Sequence, residues 1–219
     1  MTTVYLIRHS VRMKMDDIES YNTKQNNLLR NEKIILSVEG EERARLLSEK
    51  EELQNIDVVY ASNCVRTLQT AKYLLEKQNL KVNIDERLDE RRTGTPNEEE
   101  VPNWFYEQYI NEDYKTIGGE SQKEVRNRMS EVFDEIIDKY ENKRIAIFSH
   151  GYAITFFLLR YCKLINISPK KELHYMFNNK TIFNKRINAP EVIKLTLSKN
   201  KVENIELIEF DDIEYNHGV

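Results

Sequence analysis

One pattern constrains this chain more than any other: a short apolar run that ends in a histidine, used twice. Val4-Tyr5-Leu6-Ile7 ends in Arg8-His9-Ser10, and Ile145-Ala146-Ile147-Phe148 ends in Ser149-His150-Gly151. Short apolar runs without alternation fit strands buried on both faces of a sheet. In open α/β sheets, ligands bind at the C-terminal ends of such strands. The chain has 4 histidines, so half of them fall where a ligand would be held.

The segments between these runs read as alternating helices and strands. Ser37 is placed to cap a helix, with Glu39, Glu41 and Glu42 at its positive end and Leu46, Leu47 and Leu53 on its apolar face. Ile56–Tyr60 reads as a strand, Ala61-Ser62-Asn63 as a turn, and residues 64–77 as a helix. A short strand follows at 82–84. Helices are expected at 120–140 and 152–162, and a terminal hairpin at 192–197 and 202–210. This order predicts an α/β fold: a three-layer α/β/α sandwich with a mostly parallel central sheet. Residues 94–119 break the pattern, with Pro96 and Pro102 and a cluster of Trp104, Phe105, Tyr106 and Tyr109. They read as a short inserted, lid-like helical segment over the sheet edge of a single domain spanning 1–219. Val101, Trp104, Phe105 and Tyr109 fall at helical spacing and read as a packing stripe rather than a substrate cage, one that could still line the mouth of the pocket.

Composition narrows the classes. Net charge is -4, with no basic arm, which argues against a nucleic-acid partner. No apolar run is long enough to span a membrane. Cys64 and Cys162 form no Cys-x-x-Cys pair, and strand-like residues begin at position 3, so a reducing, cytoplasmic setting is expected. The histidines lack metal-ligand spacing, and neither metal nor cofactor is expected. His174 and His217 lack a motif and read as surface or packing residues. Oligomeric state is left open.

Collecting the polar residues at strand ends gives Arg8, His9, Ser62, Arg66, Asp89-Glu90 and His150. Two guanidiniums can bind a phosphoryl group through paired hydrogen bonds, and helix N-termini add backbone donors. A neutral imidazole is a competent nucleophile toward phosphorus. A protonated carboxyl group can deliver a proton to the departing oxygen. The cations supply the charge stabilisation that a metal would otherwise give.

With these residues in place, the chain resembles the histidine phosphatase superfamily, the phosphoglycerate mutase-like family. Leu6-Ile7-Arg8-His9 is similar to its phosphohistidine motif. The run from Ala61 through Arg66-Thr67-Leu68-Gln69-Thr70-Ala71 is similar to its second-arginine motif. Arg87-Leu88-Asp89-Glu90-Arg91 resembles the segment that carries the acid. Gly118-Gly119-Glu120-Ser121 and Ser149-His150-Gly151 resemble two further elements. The matches keep the family's order and span most of the chain. The resemblance implies that His9 attacks phosphorus, that Arg8, Arg66 and His150 hold the non-bridging oxygens, and that Glu90, with Asp89 as the fallback, protonates the leaving alcohol and then activates water. Ser10, Arg12, Ser62, Arg91 and Gly151 form the expected substrate-binding set. Ser62 could equally cap its helix, and Arg12 is either a second anion contact or a solvated loop residue.

Three departures touch the substrate pocket. Ser10 stands where the family usually has glycine or alanine, the run Ser10-Val11-Arg12-Met13-Lys14-Met15 replaces the common continuation, and Asn63 replaces a common proline. Specificity is therefore expected to reside in loop 10–36 and segment 94–119. The leading expectation is a phosphatase acting on a small phosphomonoester. A phosphoglycerate mutase is the alternative, but family mutases carry a longer insertion containing an Arg-Arg pair. Here Arg91-Arg92 directly follows Glu90, and residues 94–119 contain no arginine. A non-catalytic phospho-ligand binding module is a third class.

Overall fold

In the computed structural model, residues 1–14, 31–95 and 103–210 are described. Met15, Pro96, Val101, Pro102, His217 and most of loop 10–36 lie outside them. The chain runs through β1 (Thr2–Arg8), α1 (Val38–Ser48), β2 (Val58–Ala61), α2 (Val65–Gln78), β3 (Val82–Ile84), α3 (Trp104–Ile110), α4 (Gln122–Lys139), β4 (Arg144–Ser149) and α5 (Gly151–Leu158). Strands β5 (Lys163–Ile167), β6 (Leu173–Phe177), β7 (Lys180–Lys185), β8 (Glu191–Ser198) and β9 (Lys201–Ile208) follow.

The main sheet has the order β3-β2-β4-β1-β8-β9. Its first four strands are parallel, and β8 and β9 add an antiparallel edge. Successive side chains of a strand point to opposite faces, and here both faces are apolar. Tyr5, Ile7, Val59, Ala146 and Phe148 pack with Leu47 of α1 and Leu74 of α2. Val4, Leu6, Ile145 and Ile147 pack with Phe133 of α4 and with Phe156 and Phe157 of α5. This is the expected three-layer sandwich. Register then builds the site. Arg8 pairs with Ser149 and Ala61 with Phe148, so β1, β4 and β2 end level with one another.

Helix α1 begins where the sequence suggests: the Ser37 side chain accepts the Gly40 N–H. Gly40 also lies against the loop after β1, and a Cβ there would overlap the Val11 carbonyl oxygen. Both partners are backbone, so neither yields by a rotamer change. Gly40→Ala is expected to destabilise the fold by about 2–4 kcal/mol, the upper range for overpacking. A urea unfolding midpoint unchanged within error would refute this.

One expectation is corrected: the helix after His150 ends at Leu158, and the Tyr161 and Cys162 amides close tight turns onto Leu158. The inserted helix is placed by its aromatic residues. Its Tyr109 ring packs on Phe156, and its hydroxyl lies 3.1 Å from Thr155 Oγ1, so α3 sits on α5 at the C-terminal ends of the parallel strands. The sequence reading also passed over a second sheet, the antiparallel order β5-β6-β7.

Candidate active site

The level strand ends place His9, Ser62 and His150 side by side. His9 N–H donates to the Ser149 carbonyl at 3.0 Å, and Ser62 N–H to that of Phe148 at 3.1 Å. The His9 and His150 rings meet edge-on with centroids 5.1 Å apart.

The tautomer of each histidine follows from its partners. His9 Nδ1 lies 2.7 Å from the Ser10 carbonyl oxygen. A carbonyl can only accept, so Nδ1 carries the proton and Nε2 keeps a free lone pair. His9 is 4% exposed, and burial, then the charges of Arg66 and Arg8, hold its pKa well below the usual histidine value. His150, fully buried, is shifted the same way by burial and then Arg66. Arg66 Nη2 lies 2.9 Å from His150 Nδ1. Arginine can only donate, so Nδ1 accepts and Nε2 carries the proton. Nε2–H then donates to Ser62 Oγ at 2.8 Å, Ser62 donates to Thr67 Oγ1 at 2.8 Å, and Thr67 donates to the Cys64 carbonyl at 2.6 Å. Every hydroxyl in this relay is satisfied.

A cavity of about 830 Å³ opens at this edge, and Arg8, His9, Arg12, Arg66, Glu90, Arg91 and Gly151 contribute to its wall. Arg8 is aimed by the carbonyls of Ile187 and Asn188, which accept from Nη1. Arg66 is held by His150 and by Asn31, through both the backbone and the side-chain oxygen of that residue. Arg12 sits on the rim, its pKa lowered by burial and then by Arg66. Gly151 borders Arg8, where a Cβ would make an ordinary contact with Arg8 Nε at 3.4 Å. Arg91 is 1% exposed. Its Nε and Nη1 are bound to the Glu120 carbonyl and to Gln108, and its buried Nη2 has no hydrogen-bond partner among the described residues.

Glu90 occupies the N-terminus of α5. Oε1 accepts from Arg91 N–H at 2.8 Å and Ala153 N–H at 3.1 Å, and Oε2 from Tyr152 N–H at 3.4 Å. The segment that carries it is clamped by Arg128 of α4, which donates to the carbonyls of Arg87, Asp89 and Glu90 and pairs with Glu120. Glu120 in turn accepts the Arg92 N–H. The Gly118-Gly119-Glu120-Ser121 element thus braces the Glu90 segment, and Ser121 caps α4 with a complete capping box.

Four expectations change. Ser10 and Ser62 are fully buried behind the cavity wall; Ser62 orients His150, and the Ser10 carbonyl orients His9. His150 offers no free ring nitrogen to an anion, because both are engaged by Ser62 and Arg66. Its link to the cavity wall is the hydrogen bond from Arg66. The Tyr152 and Ala153 amides of α5 are taken by the Glu90 carboxyl, so these two donors are not free for an anion in the cavity. The fallback Asp89 is outside the cavity wall, with Oδ1 accepting the Asn63 N–H at 3.0 Å. His174 pairs with Thr181 at the surface.

Burial pushes the Asp89 pKa up to about 6. Raised acid pKa values favour the protonated form in the fold. The associated stability is complete below the unfolded value near 4 and is lost as pH rises through 6. Discounted for partial exposure, ionisation removes about 1–2 kcal/mol. Asp89→Asn keeps an acceptor for Asn63 and cannot ionise. The variant is expected to gain stability relative to wild type between pH 4 and pH 7, read by denaturant titration at both values; a pH-independent difference would count against it.

Cys64, Asp89 and His150 bring potential ligand atoms within 4.8 Å of one another. Burial raises the Cys64 thiol to about 11, and both His150 nitrogens are engaged, so these residues are poorly prepared to hold a metal ion.

The fold and the cavity define an α/β protein with two arginines, Arg8 and Arg66, and a neutral imidazole in one cavity wall. The family model for the histidine phosphatase superfamily (branch 1) matches residues 4–184, and the chain belongs to that superfamily. Its relatives include phosphoserine phosphatase 1 of Hydrogenobacter thermophilus, 28% identical over 144 residues, covering 62% of this chain and 67% of the relative. A probable phosphoglycerate mutase GpmB of Yersinia enterocolitica is 30% identical over 156 residues, covering 66% and 69%. Among solved structures, a mycobacterial glucosyl-3-phosphoglycerate phosphatase superposes with a TM-score of 0.63 at 18% identity, covering 94% of this chain and 95% of that one. A phosphoserine phosphatase from Entamoeba histolytica in complex with 3-phosphoglyceric acid gives 0.61 at 20% identity, covering 94% and 97%. No described helix is long and apolar enough to cross a membrane.

Proposed function

We propose that this protein is a phosphomonoester hydrolase that works through a phosphohistidine on His9, with a small phosphorylated metabolite as substrate. One observation carries the reading: the Ser10 carbonyl fixes the His9 proton on Nδ1, leaving Nε2 as a lone-pair nucleophile in a cavity walled by Arg8 and Arg66. In the first step the Nε2–P bond forms and the bond from phosphorus to the substrate oxygen breaks. Arg8 and Arg66 stabilise the charge on the transferring group, and the protonated Glu90 carboxyl gives its proton to the leaving oxygen. In the second step the Glu90 carboxylate takes a proton from water, which attacks phosphorus. The N–P bond breaks, releasing orthophosphate and restoring neutral His9. Arg12 is assigned to the body of the substrate, with Arg91 beside it in the cavity wall. No step calls for a metal. The buried free thiols Cys64 and Cys162 suit a reducing compartment, in keeping with a cytoplasmic enzyme.

Phosphate release from a panel of phosphomonoesters, with EDTA present, tests this. Turnover that survives EDTA supports the reading and ranks substrates. The GpmB relatives favour a second reading, a mutase. Interconversion of 3-phosphoglycerate and 2-phosphoglycerate primed by the 2,3-bisphosphate, without release of orthophosphate, would establish it.

A further inference from the structure

Arg8, in the cavity wall, is oriented by a distant loop. Its Nη1 donates to the carbonyls of Ile187 and Asn188, far along the chain between β7 and β8. That loop is fastened by Glu191. Oε2 accepts the Asn188 N–H at 2.8 Å, and Oε1 lies 3.4 Å from Lys185 Nζ. Glu191 is 1% exposed, an unusual place for a carboxylate unless its bonds are needed there. Its position is also set by register. Glu191 lies directly across the antiparallel β1–β8 pair from Arg8, and residues so paired project from the same face. Arg43 of α1 holds the same loop from the other side, donating to the Ala189 carbonyl at 3.1 Å.

We infer that Glu191 is a positioning residue for the phosphate site, acting through the Ile187 and Asn188 carbonyls that aim the Arg8 guanidinium. It touches no substrate. The inference takes its meaning from the hydrolase reading, but it concerns anion binding and is read without turnover. Glu191→Gln retains an oxygen acceptor for the Asn188 N–H, whereas Glu191→Ala and the volume-preserving Glu191→Leu retain none.

The test is orthophosphate affinity by calorimetry, in the wild-type and Arg8→Ala backgrounds. The expected result is a loss of about tenfold for Glu191→Ala or Glu191→Leu, less than threefold for Glu191→Gln, and less than twofold for any of these once Arg8 is alanine. Equal losses in both backgrounds would show a merely structural role and overturn the inference, as would wild-type affinity in the truncated variants. A wild type that binds orthophosphate yet releases none from any ester would defeat the hydrolase reading and leave this comparison intact.

Discussion

His9→Ala is expected to lower turnover of the best phosphomonoester by about 10⁴-fold or more, because it removes the atom that bonds to phosphorus. The fold should tolerate the change. Among the described residues the His9 ring makes one side-chain hydrogen bond, to the carbonyl of its own neighbour, and His150 keeps its links to Ser62 and Arg66 without it. Orthophosphate affinity should therefore stay within a few-fold of wild type while kcat collapses. Since burial and two arginines hold the His9 pKa well below the usual value, protonation of the nucleophile should not shape the pH–rate profile near pH 6.5. An acid limb there that disappears when His9 is replaced, with turnover retained, would contradict the assignment.

Glu90→Gln should cost about 10²–10⁴-fold in turnover, the usual range for losing a general acid. The substitution preserves the two acceptor sites poorly, because one carboxylate oxygen becomes an amide NH₂ facing the amides of α5. The decisive signature is chemical. Esters with a poor leaving alkoxide need the proton, and aryl esters with a stabilised leaving oxygen need it far less. The loss should therefore be large for alkyl phosphates and shrink markedly for 4-nitrophenyl phosphate in the first step. A loss independent of the leaving group would assign Glu90 to positioning alone.

Much of this site was legible in the sequence because its parts are local. A buried strand followed at once by Arg8-His9, or by His150, advertises its own location. Parallel pairing then brings such ends together without further information. What stayed hidden depends on contacts between distant segments. The hold of Asn31 on Arg66, the clamp of Arg128 on the Glu90 segment, and the bond from Glu191 to the loop that aims Arg8 are set by tertiary register and leave no pattern along the chain. The roles of Ser10 and Ser62 were misjudged for the same reason: proximity to a catalytic histidine says nothing about which side of the cavity wall a hydroxyl occupies. The β5-β6-β7 sheet was missed for a different reason. Its strands are half exposed, and bulges at Leu164/Asn166 and Tyr175/Met176 interrupt the alternation. A signal was nonetheless present. Asn178 and Asn179 both take positive φ between β6 and β7, as Lys199 and Asn200 do in the hairpin that was read correctly, and consecutive left-handed residues mark a tight hairpin turn.

The most direct test of the account is a rapid-quench experiment with ³²P-labelled substrate, followed by mapping of the labelled peptide. A transient, acid-labile and base-stable phosphoryl adduct is expected on His9, formed in the presence of EDTA and absent from His9→Ala. Turnover with no such adduct under any quench time, or an adduct on another residue, would contradict it.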